Sequence, residues 1–114
     1  MIRSADRIMF FVSDMARAQR FYRDVLGLAA REEHPQYAAY DLGGSLLLSL
    51  HGGLRQPSSG SPVLALEVRE LEQAKAKLKA AGAEIVREEY QVPGGTTLDL
   101  KDPDGHRIQL VRHD

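Results

Sequence analysis

The sequence contains no cysteine and no tryptophan, and its net charge is only -1. The absence of cysteine excludes disulfides, a thiol nucleophile and thiolate metal ligands, and it fits a cytoplasmic protein. A nearly neutral chain gives no reason to expect nucleic acid or an anionic membrane as a partner. No apolar stretch is long enough to span a bilayer, and the first four residues do not resemble a signal peptide. We therefore expect a cytoplasmic protein with no membrane or nucleic-acid partner.

The remaining composition is that of an ordinary globular domain. The chain has 114 residues, of which 43% are hydrophobic and 27% charged. This length is enough for one domain, residues 1–114, that buries its own core.

The clearest local pattern is a β-hairpin near the C-terminus. Residues 96–101 and 107–112 alternate apolar and polar side chains, as strands with one buried face do. Asp102-Pro103-Asp104-Gly105 between them is typical of a tight turn. A weaker copy lies earlier, where residues 37–42 and 45–50 flank a two-residue turn at Gly43-Gly44.

The similarity between the two halves extends upstream of the hairpins. Each half begins with an apolar strand, residues 8–12 or 63–68, followed by a helix that ends at Gly27 or Gly82. Both helices are followed by a short strand running into Arg-Glu-Glu. The repeat predicts an α+β fold of two tandem βαβββ modules. They cover about residues 5–51 and 62–112, with a linker at residues 52–61 and a loop at residues 90–94. The first strands are apolar on both faces, so we expect both faces to be covered.

Three motifs within this repeat identify a resemblance. Phe21-Tyr22, the sequence VLGL at residues 25–28 and the sequence DPDGHRIQL at residues 102–110 are similar to those of the vicinal oxygen chelate superfamily. That family includes glyoxalase I, bleomycin resistance proteins, fosfomycin-modifying enzymes and extradiol dioxygenases. The resemblance implies curled mixed sheets that form a cup, with the helices outside. It also implies a two-fold homodimer, which would cover free sheet edges.

The resemblance further implies a divalent metal held by His or Glu in the first strand of each module and Glu in the last. The corresponding positions here are Arg7, Ser49, Val63 and Gln109. Arginine has no lone pair to offer and valine is inert, while serine and glutamine offer one weak oxygen each. We therefore expect neither a bound metal nor another cofactor.

Strand parity predicts which side chains line the cup. The candidate ligand-binding residues are Arg7, Phe11, Tyr37, Ser49, His51, Asp99 and Gln109. His51 could serve as a general base. His34, His106 and His113 are interpreted as surface or turn residues. A plainer alternative is that opposed charges such as Arg7, Glu67 and Asp99 pair with one another and fill the cup.

Three functions remain open from the sequence. The first is a metal-free protein of the bleomycin-resistance kind that binds a small, partly aromatic molecule. The second is a lyase, isomerase or dioxygenase with an atypical metal site or a metal-free catalyst using Arg7, His51 or Asp99. The third is a structural homodimer with a vestigial cup. In the first case, we expect Arg7 to meet an anionic group of the ligand, or else Asp99 or Glu67.

Overall fold

The computed structural model describes Met1, residues 5–52 and residues 63–114. This part of the chain forms eight strands and two α-helices, the first of which continues as a π-helical turn at Phe21–Val25. The elements are β1 (Arg7–Val12), α1 (Met15–Arg20), β2 (Ala30–His34), β3 (Tyr37–Asp41), β4 (Leu47–Gly52), β5 (Leu64–Glu67), α2 (Leu71–Ala80), β6 (Glu84–Val92), β7 (Gly95–Lys101) and β8 (Arg107–His113). Among these described residues, no helix has the length and apolar character that a membrane span requires. The predicted linker lies outside the described residues except for Gly52, which ends β4.

The chain divides into two compact units, Met1–Pro57 and Ser58–Asp114. Each contains a four-stranded mixed sheet, with strand order β1-β4-β3-β2 in the first and β5-β8-β7-β6 in the second. In both, the first strand pairs in parallel with the last and the other pairs are antiparallel. This topology confirms the predicted fold class of two βαβββ modules with mixed sheets. The assignment of the chain to a single domain stays a prediction.

The core of the first unit lies between its sheet and α1. The Asp14 carboxylate caps the helix by accepting a hydrogen bond from the Arg17 N–H. The Tyr22 ring then packs against Phe10 and Tyr40 of the sheet, with ring centroids 6.5 Å and 6.2 Å away. All three aromatic residues are buried, so one face of the sheet is closed by the helix.

The opposite face of this sheet, which we call the distal face, carries the alternate residues of β1, β3 and β4. Met9 on this face is 51% exposed. The described residues of this chain therefore leave this face of β1 partly open, and its covering by a second copy stays a prediction. Because side chains alternate along a strand, the burial of Phe10 and Val12 leaves Met9 and its neighbours on the open side.

The second unit is built around the predicted C-terminal hairpin. Leu98 and Leu100 of β7 pair with Leu110 and Ile108 of β8, and all four are buried. The Asp102 carboxylate organises the turn, accepting hydrogen bonds from the N–H groups of Asp104 and His106 and contacting His106 Nδ1 at 2.8 Å. His106 is thus turn-associated, as predicted, and it is also buried.

Two predicted local features are wrong. Residues 90–94 are not a loop, because β6 continues to Val92 and the turn consists of Pro93 and Gly94. Proline removes a backbone donor and Gly94 adopts a φ of 87°, so these two residues suffice to reverse the chain. The turn after β3 is longer than two residues, since Asp41 pairs with Leu47 and leaves residues 42–46 between them.

Candidate functional site

The first group of predicted site residues comes together on the distal face of the first sheet. Strand register places Phe11 beside His51, and His51 beside Tyr37. His34 of β2 pairs with Tyr37 at the far side. These four rings form a line across all four strands, which we call the aromatic row. Its successive centroid distances are 5.7 Å, 5.3 Å and 6.3 Å.

His34 is the member of the row that the sequence interpretation missed. The sequence interpretation predicts a surface or turn residue, and the side chain is indeed 57% exposed, but His34 is the last residue of β2 and not part of the turn. Its ring stacks on Tyr37 and its Nε2 lies 3.1 Å from a Glu32 oxygen. The pattern that could have placed it is the register of a β2–β3 hairpin, which puts residues 34 and 37 opposite each other.

Arg7 lies at the edge of the aromatic row. Its Nη1 donates to the Tyr37 hydroxyl at 3.0 Å, and its Nε donates to an Asp6 oxygen at 3.1 Å. Both contacts raise the pKa of Arg7, the Tyr37 hydrogen bond most, so the group remains a cation. The Arg7 side chain is 34% exposed, and the register of β1 with β4 places it on the same face as Ser49 and His51, as strand parity predicts. Its charge partner within the first unit is Asp6, and the pairing with Asp99 or Glu67 stays a prediction.

His51 occupies the centre of the row. Its Nε2 lies 2.9 Å from the Oγ of Ser49, a fully buried residue two positions earlier on β4. Burial, and to a lesser extent the charge of Arg7, lower the pKa of His51 below the usual 6.5. The imidazole is therefore neutral at pH 7, with one nitrogen able to accept a proton or a hydrogen bond.

The second group of predicted site residues, Asp99 and Gln109, belongs to a separate network in the second unit. The Tyr90 hydroxyl lies 3.0 Å and 2.9 Å from the two Asp99 oxygens. Gln109 Nε2 donates to the Tyr90 oxygen at 3.1 Å, and Arg107 donates to Asp99 at 3.2 Å. Asp99 thus finds these partners within its own sheet.

Tyr90 contacts both Asp99 and Gln109 and so connects this network. The sequence interpretation does not identify Tyr90 as a site residue, because it predicts a loop at residues 90–94. In β6 it pairs with Thr97, and the Arg87 guanidinium carbon lies 3.5 Å from the centre of its ring. The residues 90–92, Tyr-Gln-Val, contain two strong strand formers in alternation, which was the available indication of a strand.

The four positions at which the family resemblance implies metal ligands do not fit a divalent cation. Arg7 is a hydrogen-bonded cation, and Val63 is a half-exposed hydrocarbon. The Ser49 hydroxyl contacts His51, and the Gln109 amide donates to Tyr90. Elsewhere in the described ranges, no three His, Cys, Asp or Glu side chains are grouped so that they could hold a metal. The side chains at these four positions therefore offer hydrogen bonds and apolar contact, not the ligands that a divalent metal prefers.

A groove of about 770 Å³ lies elsewhere in the first unit, between the start of α1 and the β2–β3 turn. It is lined by residues 13–16, Gln19, residues 33–36 and Gly52. His34, the outermost member of the aromatic row, is the one aromatic residue among those that line the groove, and none of the predicted ligand-binding residues lines it. We favour the distal face over this groove as the functional site, because the rings and the cation converge there.

Comparison with known proteins agrees with the fold and extends to the sequence. The family model of the Glyoxalase/Bleomycin resistance protein/Dioxygenase superfamily matches residues 4–110. Lactoylglutathione lyase of Escherichia coli O157:H7 is 31% identical over 119 residues, covering 90% of this chain and 87% of that protein. Lactoylglutathione lyase of Haemophilus influenzae is 29% identical over 120 residues, covering 92% and 89%.

Solved structures show the same fold. A glyoxalase-related enzyme from Fulvimarina pelagi has a TM-score of 0.83 at 24% identity, over 98% of this chain and 89% of that one. TnmS3, an antibiotic binding protein from Streptomyces sp. CB03234, has a TM-score of 0.83 at 23% identity, over 99% and 98%. The chain belongs to the Glyoxalase/Bleomycin resistance protein/Dioxygenase superfamily, and the predicted family is confirmed.

Proposed function

We propose that this protein binds a small, partly aromatic molecule on the distal face of the first sheet, and that binding requires no metal. The observation that carries the proposal is the aromatic row with Arg7 hydrogen-bonded at its edge. Rings beside a fixed polar group are the usual components of a small-molecule site, in which apolar contact supplies affinity and polar atoms fix orientation.

The exposure of this face supports the proposal. Met9 is half exposed although it lies in the middle of a sheet strand, and Phe11, Tyr37 and His51 are each partly exposed. Packing of the core does not require these side chains, since the opposite face of the same strands already closes on α1. Exposed rings and a flexible thioether are typical of surfaces that accommodate a ligand.

The relatives suggest two different functions, and the site residues support one of them. TnmS3 shares the fold and is an antibiotic binding protein, whereas the sequence relatives are lactoylglutathione lyases. A guanidinium at position 7 and a hydrocarbon at position 63 favour binding over metal-dependent chemistry.

A thermal-shift screen on protein treated with EDTA tests the proposal. Ligands that bind the native state alone raise the unfolding temperature, so planar aromatic compounds should raise it without added metal. The effect should disappear in Tyr37→Ala and persist in Tyr90→Phe, which alters the second unit only. A response that requires nickel or zinc, or one unaffected by Tyr37→Ala, would contradict the proposal.

A second candidate function is metal-free acid–base catalysis by His51. The specific observation in its favour is that this imidazole is neutral at pH 7 and is held by Ser49. An assay for lactoylglutathione lyase activity separates the two candidates. Activity in EDTA that falls about a hundredfold or more in His51→Gln, the usual contribution of a general base, would favour catalysis. We expect no such activity.

A further inference from the structure

We infer that the ligand of the distal face is a planar aromatic anion, such as an aromatic carboxylate, with its acidic group bound end-on by the Arg7 guanidinium. The inference rests on the proposed function and names the chemical class of its ligand. It depends on which Arg7 donors are already occupied, on which acidic groups are available to compete, and on where the rings lie.

The Arg7 guanidinium has N–H groups that no described residue accepts from. It carries five N–H groups, of which one on Nε donates to Asp6 and one on Nη1 donates to Tyr37. Among the described residues, nothing accepts from its Nη2. Nη1 therefore keeps one N–H group and Nη2 keeps two, and a pair of guanidinium donors matches the two oxygens of a carboxylate.

The acidic groups near Arg7 do not occupy the remaining donors of Nη1 and Nη2. Asp6 contacts Nε, and its side chain is 83% exposed, so water screens much of its charge. Asp41 lies on the same face in β3, but its Oδ1 accepts from Arg31 at 3.0 Å. The Glu32 carboxylate lies 3.1 Å from His34 Nε2, so it too has a partner other than Arg7. A ligand anion at Nη1 and Nη2 would thus complete the coordination of a cation whose protein partners are only partly neutralising.

The position of the rings selects a flat ligand. Tyr37 receives the hydrogen bond from Arg7 through its hydroxyl, so the guanidinium is fixed beside the ring rather than in open solvent. His51 meets Tyr37 edge to face, and Phe11 lies on the other side of His51. An aromatic ring packed on this row, with its acid directed at Arg7, would satisfy both the apolar and the charged part of the face.

Matched acid and amide probes test the inference. We would measure Kd for benzoate, cinnamate and 2-naphthoate against benzamide, cinnamamide and 2-naphthamide, which keep the rings and remove the charge. Wild-type protein should bind each acid about tenfold more tightly than its amide, because hydrogen bonds to charged groups are the stronger ones. Arg7→Met should abolish the difference, and Arg7→Lys should keep part of it. Arg20→Met, on the exposed side of α1, is the control and should change nothing.

His51 supplies an independent measurement of where the anion lies. Arg7 charge contributes to the low pKa of His51, so an anion on Arg7 should raise that pKa, whereas an amide should not. The groups that face His51 are the Arg7 guanidinium, the Ser49 hydroxyl and the rings of Tyr37 and Phe11, and none of them is a carboxylate. The pKa of His51 can be measured by following its imidazole NMR resonances as a function of pH, with and without each probe, in wild-type and Arg7→Met protein.

The possible outcomes separate this inference from the proposed function. Equal binding of acids and amides, or acid selectivity that survives Arg7→Met, would overturn anion recognition and leave aromatic binding intact. Failure of all six probes to bind at millimolar concentration would overturn both. A circular dichroism spectrum of Arg7→Met that matches the wild type would show that any loss of binding is not caused by unfolding. Arg7→Lys provides a second test of the same cationic donor.

Discussion

The Nη1 of Arg7 donates a hydrogen bond to the Tyr37 hydroxyl at 3.0 Å, joining the edge strand β1 to β3 across the intervening strand β4. The contact orients a cation beside the aromatic row at the position where the family resemblance implies a metal ligand. This position thus presents a single positive charge that a phenol hydroxyl orients. The proposed function and the proposed ligand class both depend on this pair.

Two tyrosine hydroxyls distinguish the binding face from the structural network. Tyr90→Phe should lower the free energy of unfolding by about 1–2 kcal/mol, because it deprives the largely buried Asp99 of a donor and Gln109 of an acceptor. Tyr37→Phe should change it by less than about 0.5 kcal/mol, since both partners are partly exposed. Urea denaturation of the two variants checks the difference. Equal losses would mean that the Arg7–Tyr37 pair is itself a structural element.

Protonation of His51 should make stability depend on pH. Its pKa is lowered in the folded protein, so the unfolded chain binds more protons as the pH falls through 6.5. The contribution of neutral His51 to stability is therefore complete at higher pH and decreases on acidification. His51→Gln should flatten this dependence between pH 7 and pH 5. His113→Gln, at the exposed end of β8, should retain it, and identical slopes in both variants would contradict the assignment.

The carboxylate of Asp102 should be essential to the last hairpin. It accepts from two backbone N–H groups and contacts the His106 ring, and its side chain is fully buried. Asp102→Ala should therefore lower the free energy of unfolding by about 2 kcal/mol or more, because buried donors lose their acceptor. Thermal or urea unfolding measures the change. Glu84→Ala, at the exposed start of β6, serves as control and should stay within about 0.5 kcal/mol of the wild type.

Much of the fold could be predicted because the repeat fixes the order of its elements. The alternation around the DPDG turn placed Leu98, Leu100, Ile108 and Leu110 on one buried face. Parity along β1 and β4 likewise placed Arg7 and His51 on the same face. The sequence could not reveal partners that depend on strand register, such as His34 with Tyr37, or Tyr90 with Asp99. Those contacts follow from pairing between strands, which local alternation does not specify.

Assembly into a symmetric homodimer stays a prediction. In the first sheet β1 and β2 are the edge strands, and Met9 of β1 is half exposed, so a second copy could cover apolar surface near this edge. We expect an interface that buries more than about 1,000 Å² in total. Light scattering at micromolar concentration should give twice the 12.6 kDa mass of the chain. A monomer mass that does not vary with concentration would contradict the dimer.

The measurement that tests the account most directly is NMR mapping of aromatic ligand binding in the presence of EDTA. Side-chain and backbone resonances of Phe11, Tyr37 and His51 should shift most, because these residues form the exposed part of the aromatic row. Resonances of Asp99 and Gln109, which belong to the internal network of the second unit, should shift less. Shifts confined to the groove beside α1, or binding that appears only after a divalent metal is added, would contradict metal-free binding on the distal face.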